Sequence, residues 1–134
     1  MSVAGKTIIV TGASRGLGAL TARHLALAGA QVVLAARSSG DIRRLADEIV
    51  ADGGKALALP CNVADFSDVD ALVKATTGAF GQVDVLINNA GVIDPISFLA
   101  ESTPQEWSAA LDINLKGPYY GMRAVMPGML ERGA

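Results

Sequence analysis

The residues best suited to chemistry begin with a glycine-rich segment, Thr-Gly-Ala-Ser-Arg-Gly-Leu-Gly, at positions 11–18. Gly12 permits a sharp turn, Gly16 lets the main chain approach a ligand, and Gly18 lets a following helix lie close to a sheet. A helix that starts here offers free N–H groups and the positive end of its dipole to an anion. The pattern predicts that main-chain amides bind a diphosphate, and an ordinary tight turn is the alternative.

A diphosphate bound at such a turn can belong to a nicotinamide dinucleotide, NAD or NADP. The basic side chains nearby indicate which of the two would fit. The second apolar run of the chain ends in Ala-Ala-Arg-Ser-Ser over residues 35–39, and no acid follows before Asp41. A carboxylate at this place would bind the ribose hydroxyls of NAD, whereas an arginine attracts the 2′-phosphate of NADP. Arg37, together with Arg15, therefore predicts a preference for NADP over NAD. The alternative is that both arginines are solvated surface charges.

Two asparagine-containing segments could complete the site. Asn62 and Val63 follow the third apolar run, and the Asn62 amide could accept a hydrogen bond from an adenine amino group or simply cap the next turn. Residues 88–91, Asn-Asn-Ala-Gly, follow the fourth run, where Ala90 and Gly91 are small enough for a ribose and a nicotinamide to approach; a plain polar turn is the alternative. The residues predicted to bind the cofactor are Gly12, Ser14, Arg15, Gly16, Leu17, Gly18, Arg37, Ser38, Asn62, Val63, Asn89, Ala90 and Gly91.

Asn114 and Pro118 lie four residues apart in a predicted helix. Proline has no N–H, so the carbonyl of Asn114 loses its normal helical partner and the helix is expected to kink. A free carbonyl within a helix needs water or another donor. Asn114 is therefore a candidate for holding a water molecule, and a kink that only shapes packing is the alternative.

Four apolar runs alternate with helical patterns and must position these residues. The runs, predicted as strands, cover residues 6–11, 31–36, 55–60 and 83–88. Thr103 and Glu106 predict a capping box at the start of a fourth helix, whose apolar stripe extends to Met129. The apolar face of the first helix is predicted to contain Leu17, Leu20, His24 or Leu25, and Ala28. Near-continuous apolar strands between helices predict an α/β fold, a doubly wound parallel sheet in three layers with strand order 3-2-1-4.

Composition excludes several classes of protein. The chain has 134 residues, of which 51% are hydrophobic and 18% charged, which argues against a disordered segment and predicts one domain over residues 1–134. A net charge of -2 argues against a nucleic-acid partner, and no apolar run approaches the ~18–20 residues of a membrane-spanning helix. The single cysteine, Cys61, excludes an internal disulfide and fits a cytoplasmic protein. No cluster of side chains has metal-ligand spacing.

Three motifs together resemble those of the short-chain dehydrogenase/reductase family. They are residues 11–18, residues 88–91 and Asn114, in the order that the family has them. The resemblance implies a Rossmann-like fold and NADP-dependent hydride transfer that reduces ketones or oxidises secondary alcohols. It also implies that Asn88 and Asn89 tie neighbouring main-chain groups, that Asn114 holds a proton-relay water, and that the full-length protein is a homo-oligomer acting on a small carbonyl or alcohol substrate.

The tyrosines of this chain depart from the family's catalytic pattern. The family uses a serine and a Tyr-x-x-x-Lys motif, but Tyr119 and Tyr120 are followed four residues later by Arg123 and Ala124. The resemblance places the serine, tyrosine and lysine beyond residue 134, so the chain is expected to be a truncated, cofactor-binding half. Such a chain is expected to bind dinucleotide weakly, to be inactive alone, and to be marginally stable or self-associating. The alternatives are a catalytically silent NADP-binding sensor or interaction module, and a non-functional fragment.

Overall fold

The computed structural model describes residues 2–133, which form a parallel sheet with helices on both faces. The four strands lie in the order β3-β2-β1-β4, which confirms the predicted fold class and strand order. The strands are β1 (Thr7–Thr11), β2 (Gln31–Ala36), β3 (Lys55–Pro60) and β4 (Val85–Ile87). The helices are α1 (Gly16–Leu27), α2 (Ser39–Ala51), α3 (Phe66–Phe80), α4 (Pro104–Leu111) and α5 (Gly117–Glu131).

The two central strands are apolar on both faces because each face is covered by helices. Ile8 and Val10 of β1 belong to a buried cluster with α1 and α2, whereas Ile9, between them, belongs to a second cluster with α3 and α5. Successive side chains of a strand point to opposite faces, so one continuous apolar run supplies both cores. The sheet is thereby held between two helical layers, with all four carboxyl ends at one edge.

The helix α1 packs mainly through a different face from the one predicted, although Leu25 is partly buried against the core as expected. Its buried residues are Gly18, Ala22 and Ala26, while Leu17 is 70% exposed and Leu20 is 53% exposed. The prediction was wrong because it followed the largest apolar side chains. Small residues at every fourth position let the helix axis lie close to the sheet, and larger side chains there would hold it away.

The predicted fourth helix begins where expected but is not one continuous helix. Thr103 and Glu106 form the reciprocal capping box at the start of α4, with bonds of 3.1 and 3.0 Å. A π-helical turn over Asp112–Lys116 then separates α4 from α5, and the Gly117 amide donates to the Asp112 carbonyl. Pro118 cannot donate to Asn114, so the interruption expected from the proline takes the form of this wider turn.

The strand β4 is shorter than predicted and lies at the edge of the sheet. Its pairing with β1 is extended by Asp84, whose carboxylate accepts from the Thr7 amide at 2.8 Å while its own amide donates to the Thr7 carbonyl at 2.9 Å. Gln82 also donates to the Asp84 carboxylate, at 2.6 Å. These bonds fix the register of β4 at one end, so the residues that follow its other end reach the glycine-rich turn.

Candidate cofactor site

A cavity of about 410 Å³ lies at the carboxyl ends of the strands, where the glycine-rich turn meets the residues after β4. This is the crevice in which open α/β sheets bind ligands, and its volume is within the range of small-molecule sites. The cavity is lined by Gly12, Ser14, Arg15, Leu17, Ala36, Arg37, Ser38, Asp41, Cys61, Asn62, Val63, Asn89, Ala90, Gly91, Val92 and Ile113. The sequence-predicted residues are thus brought together, except that Gly16, Gly18 and Asn114 do not line this cavity.

Thr11 joins the end of β1 to the segment that follows β4. Its hydroxyl oxygen accepts from the amides of Asn89 and Ala90 at 3.0 and 3.1 Å, and the hydroxyl lies 3.4 Å from the Ile87 carbonyl, to which it donates. The Asn89 side chain donates to the Gly12 carbonyl at 3.2 Å. Asn89 therefore ties main-chain groups as expected, and the floor of the cavity is fixed to the glycine-rich turn.

The glycines of residues 11–18 are required for three different reasons. A Cβ on Gly12 would lie 2.8 Å from the Ala90 Cα, and one on Gly18 would overlap the Gly12 carbonyl oxygen and lie 2.5 Å from Asn89 Nδ2. Gly16 has φ +58°, and no atom lies within 4 Å of the place that a Cβ would take, so the conformation of its backbone, rather than a neighbour, favours glycine. The turn therefore has the shape of a main-chain cradle beside open space.

The first turn of α1 leaves main-chain donors available to an anion. Arg15 is the N-cap residue, its backbone is extended, and its side chain makes no capping hydrogen bond. The first turn contains no acidic residue. Free N–H groups and the positive end of the helix dipole thus face the glycine-rich turn, which is the electrostatic arrangement that a diphosphate requires.

Two cations and one acid line the cavity, with Arg15 at the start of α1 and with Arg37 and Asp41 near the start of α2. Arg15 and Arg37 are exposed, and within residues 2–133 neither guanidinium has a hydrogen-bond or ion-pair partner. Ser38 is the N-cap residue of α2 and makes no side-chain capping bond. Asp41 lines the same cavity, although the sequence did not predict it as a site residue. Asp41 lies soon after β2, in the first turn of the next helix, and this position in the sequence could have indicated that it lines the site.

The end of β3 supplies a thiol and an amide. The Asn62 side chain accepts from the Ala64 amide at 3.1 Å, so it caps the turn, and its own amide donates to the Asp68 carboxylate at 2.9 Å. Cys61 is buried. Burial raises the pKa of the Cys61 thiol from 9.0 to about 11, and the negative charges of Asp68 and Asp65 act in the same direction. The thiol is therefore protonated at neutral pH.

Asn114 fastens the segment after β4 to the π-helical turn. Its side-chain oxygen accepts from the Val92 amide at 2.8 Å, and its side-chain nitrogen donates to the Val92 carbonyl at 2.7 Å. Asn114 lines a neighbouring cavity of about 350 Å³, and Val92 lines both that cavity and the larger crevice. The residue predicted to act in a proton relay therefore lies beside the candidate site and controls the position of Val92.

Other candidate groups are located away from the crevice. Tyr119 and Tyr120 lie on α5 and line none of the crevice, and Tyr120 packs edge-on against Phe66 with ring centroids 5.5 Å apart. Within residues 2–133 no group of His, Cys, Asp or Glu side chains is arranged to hold a metal ion. Over the same residues, none of the helices combines the length and apolar character needed to cross a bilayer.

Comparison with known proteins relates this architecture to one family. A model of the short chain dehydrogenase family matches residues 6–134. The L-rhamnose 1-dehydrogenase (NAD(P)(+)) of Azotobacter vinelandii is 43% identical over 138 residues, with 99% of this chain and 53% of the relative covered.

Two solved structures share the fold but differ in their bound cofactor. A metagenomic short-chain oxidoreductase in complex with NADP has a TM-score of 0.92 at 42% identity, covering 98% of this chain and 60% of that one. A short chain dehydrogenase/reductase from Burkholderia phymatum in complex with NAD has a TM-score of 0.95 at 34% identity, covering 100% of this chain and 47% of that one. The chain thus spans about half the length of these relatives.

Proposed function

The chain belongs to the short-chain dehydrogenase family, and on that premise we propose that it binds NADP in preference to NAD, as the cofactor-binding portion of an oxidoreductase. The observation that carries the preference is the pair of unpaired guanidinium groups, Arg15 and Arg37, in the wall of one crevice within residues 2–133. Two arginines can both donate charged hydrogen bonds to a 2′-phosphate, which NAD lacks. The NADP complex of one similar structure supports the proposal, and the NAD complex of another makes the preference the point to test.

The glycine-rich turn and the small residues after β4 bind different parts of the dinucleotide in this proposal. The N–H groups at the start of α1 bind the diphosphate, and the absence of a Cβ atom at Gly16, where the space is open, gives it room. Asn62 and Val63 lie at the adenine side. Ala90 and Gly91 leave space for the ribose and the nicotinamide, which when bound would donate a hydride to a carbonyl carbon or accept one from an alcohol carbon.

Asn114 has a positioning part in this proposal. One acceptor and one donor of its side chain are engaged with Val92, and its main-chain carbonyl lacks the helical donor that Pro118 cannot supply, so that carbonyl is the proposed acceptor for a proton-relay water. The substrate is proposed to be a small ketone or secondary alcohol, as the family implies. A cytoplasmic location and homo-oligomer formation by the full-length protein are further expectations of the same proposal.

A second candidate function is a catalytically silent NADP-binding module, which binds the dinucleotide and transfers no hydride. Tyr119 and Tyr120 have no lysine four residues later, and both lie on α5 outside the crevice. The 134-residue chain is therefore expected to bind NADPH without oxidising it in the presence of carbonyl compounds. Turnover that is abolished by Tyr119→Phe or Tyr120→Phe would overturn this expectation.

Calorimetric titration of the chain with NADP and with NAD tests the proposed preference. Arg37→Gln is expected to weaken NADP binding about tenfold or more, because a charge-assisted bond is lost, and to leave NAD binding within about twofold. Arg43→Gln is the matched control, since Arg43 is an exposed cation of α2 that does not line the crevice. Equal affinities of the unaltered chain for the two cofactors, or equal effects of the two substitutions, would contradict the proposal.

A further inference from the structure

Asp41 is the one acid within residues 2–133 that lines the cofactor crevice. It lies in the first turn of α2, and its side chain is 50% exposed. Its nearest cation is Arg44, at 3.8 Å on the same helix, whose side chain is 73% exposed. A solvated pair of this kind compensates little of the carboxylate charge. The crevice that Arg15 and Arg37 line is therefore also lined by a negative charge.

The position of Asp41 places it in competition with an anionic ligand. The N-cap residue of α2, Ser38, makes no side-chain capping bond, so the main-chain donors of this turn are available to an anion. Asp41 is already an anion at that helix start, where the dipole stabilises negative charge. A phosphate monoester brings about -1.5 to -2 charges to the same wall at neutral pH. The two like charges repel one another across the crevice.

The Asp41 carboxylate does not repel NAD, which lacks the 2′-phosphate. The adenosine ribose of NAD presents hydroxyl groups, and a carboxylate is an acceptor for hydroxyl donors. The repulsion therefore weakens the binding of NADP and not that of NAD. Specificity is a difference between two affinities, so a group that weakens binding of only one ligand changes the ratio directly.

We propose that Asp41 is a specificity-determining residue, which lowers the preference for NADP that Arg15 and Arg37 create and keeps NAD an acceptable ligand. This inference rests on the proposed function, because it concerns the balance of affinities at the same crevice. On this view the selectivity of the crevice is set by the opposition of one acid and two cations, rather than by the number of phosphate-binding groups alone. Removing the acidic charge should therefore make the site more selective.

The test compares Asp41→Asn with Asp47→Asn by titration with NADP and NAD. Both substitutions remove one negative charge from α2, but Asp47 is an exposed residue about 9 Å further along the helix and does not line the crevice. At about 0.1 M salt the Debye length is about 10 Å, so the effect of the nearer charge should dominate. Asp41→Asn is expected to raise the ratio of NADP affinity to NAD affinity about three- to tenfold, and Asp47→Asn by less than about twofold.

The outcomes separate this inference from the proposal on which it depends. If the unaltered chain binds neither dinucleotide, the proposed function fails. If Arg37→Gln weakens NADP binding while Asp41→Asn leaves the ratio unchanged, or matches Asp47→Asn, the inference alone fails. An increase in the ratio that diminishes as the salt concentration is raised supports it, because a contact effect without charge would not be screened. Circular dichroism of each variant shows that the fold is retained.

Discussion

Gly18 sets how closely α1 can approach the glycine-rich turn, because any side chain there would overlap the Gly12 carbonyl. Gly18→Ala is expected to lower the free energy of unfolding by about 1–3 kcal/mol, as small-to-large changes in packed positions do. It should also weaken NADP binding, since the turn must shift. Urea unfolding and titration measure the two effects.

Gly78 provides the matched control for this substitution. It lies within α3, its φ is not positive, and nothing lies within 4 Å of the position of a Cβ. Gly78→Ala should therefore raise stability by about 0.5–1 kcal/mol and leave NADP affinity unchanged. Equal losses of stability in the two variants would show that close packing at Gly18 is not the cause.

A second prediction for a single residue concerns Cys61 and the pH dependence of the free energy of unfolding. Since burial raises the pKa of its thiol to about 11, the folded chain keeps this proton at pH values where the unfolded chain, with a pKa of 9.0, loses it. The stabilisation from Cys61 is therefore complete below pH 9.0 and is lost as the pH rises towards about 11. The difference in unfolding free energy between the unaltered chain and Cys61→Ala should diminish over that range. A constant difference would contradict the pKa shift.

At the scale of elements, the connection after β4 depends on a contact with the π-helical turn. Asn114→Ala removes both hydrogen bonds to Val92. Because each bond contributes about 1 kcal/mol, hydrogen exchange of the Val92 amide should become about fivefold faster or more. Exchange in α2 should not change. Gln105→Ala, in the exposed first turn of α4, is the control, and equal exchange rates in both variants would refute the proposed role of Asn114.

The elements also show what residue patterns can and cannot predict. Val69 and Leu72 of α3, and Ile42 and Ile49 of α2, are buried at helical spacing, because those helices pack through large side chains that a periodic pattern reveals. The face of α1 was wrongly predicted because its contact with the sheet is made by small residues. Spacing alone does not show which helix must approach a strand most closely.

At the scale of the whole molecule, the layers are unequally covered. The helices α1 and α2 pack around a continuous core, although Leu17, Leu20 and Leu27 of α1 are exposed, and the segment after β4, together with α4 and α5, carries most of the other large exposed apolar side chains. Ile93 is 82% exposed and Phe98 is 80% exposed. Other exposed apolar residues in this part of the chain are Ile96, Leu99, Trp107, Leu111, Leu115, Tyr119, Met122, Met126 and Leu130. An exposed apolar surface of this kind favours association.

Self-association of the 134-residue chain is accordingly expected in sedimentation velocity experiments. Phe98→Ser should shift the distribution towards the monomer, because it removes apolar surface from the uncovered layer. Leu27→Ser, at a residue that is 78% exposed on α1, is the control and should have a smaller effect. A chain that is monomeric at every concentration would contradict this prediction.

The crevice as a whole could be predicted in outline, but not in its balance of charges. The topology follows from four apolar runs, and parallel strands bring their carboxyl ends, and hence residues 11–18 and 88–91, to one edge. The inclusion of Asp41 and the contact of Asn114 with Val92 depend on the entry angles of α2 and of the π-helical turn. Those angles are set by packing between elements, which the local sequence does not contain.

The most direct test of the central claim is an amide nitrogen–proton correlation spectrum recorded during titration with NADP. If the main chain at the start of α1 binds the diphosphate, the largest shifts will fall on the amides of residues 12–18, with further shifts at residues 89–91. Residues of the smaller cavity at the far ends of α1 and α2, such as Gly29 and Gly53, should not respond. Saturable binding that leaves the amides of residues 12–18 unshifted would contradict the account.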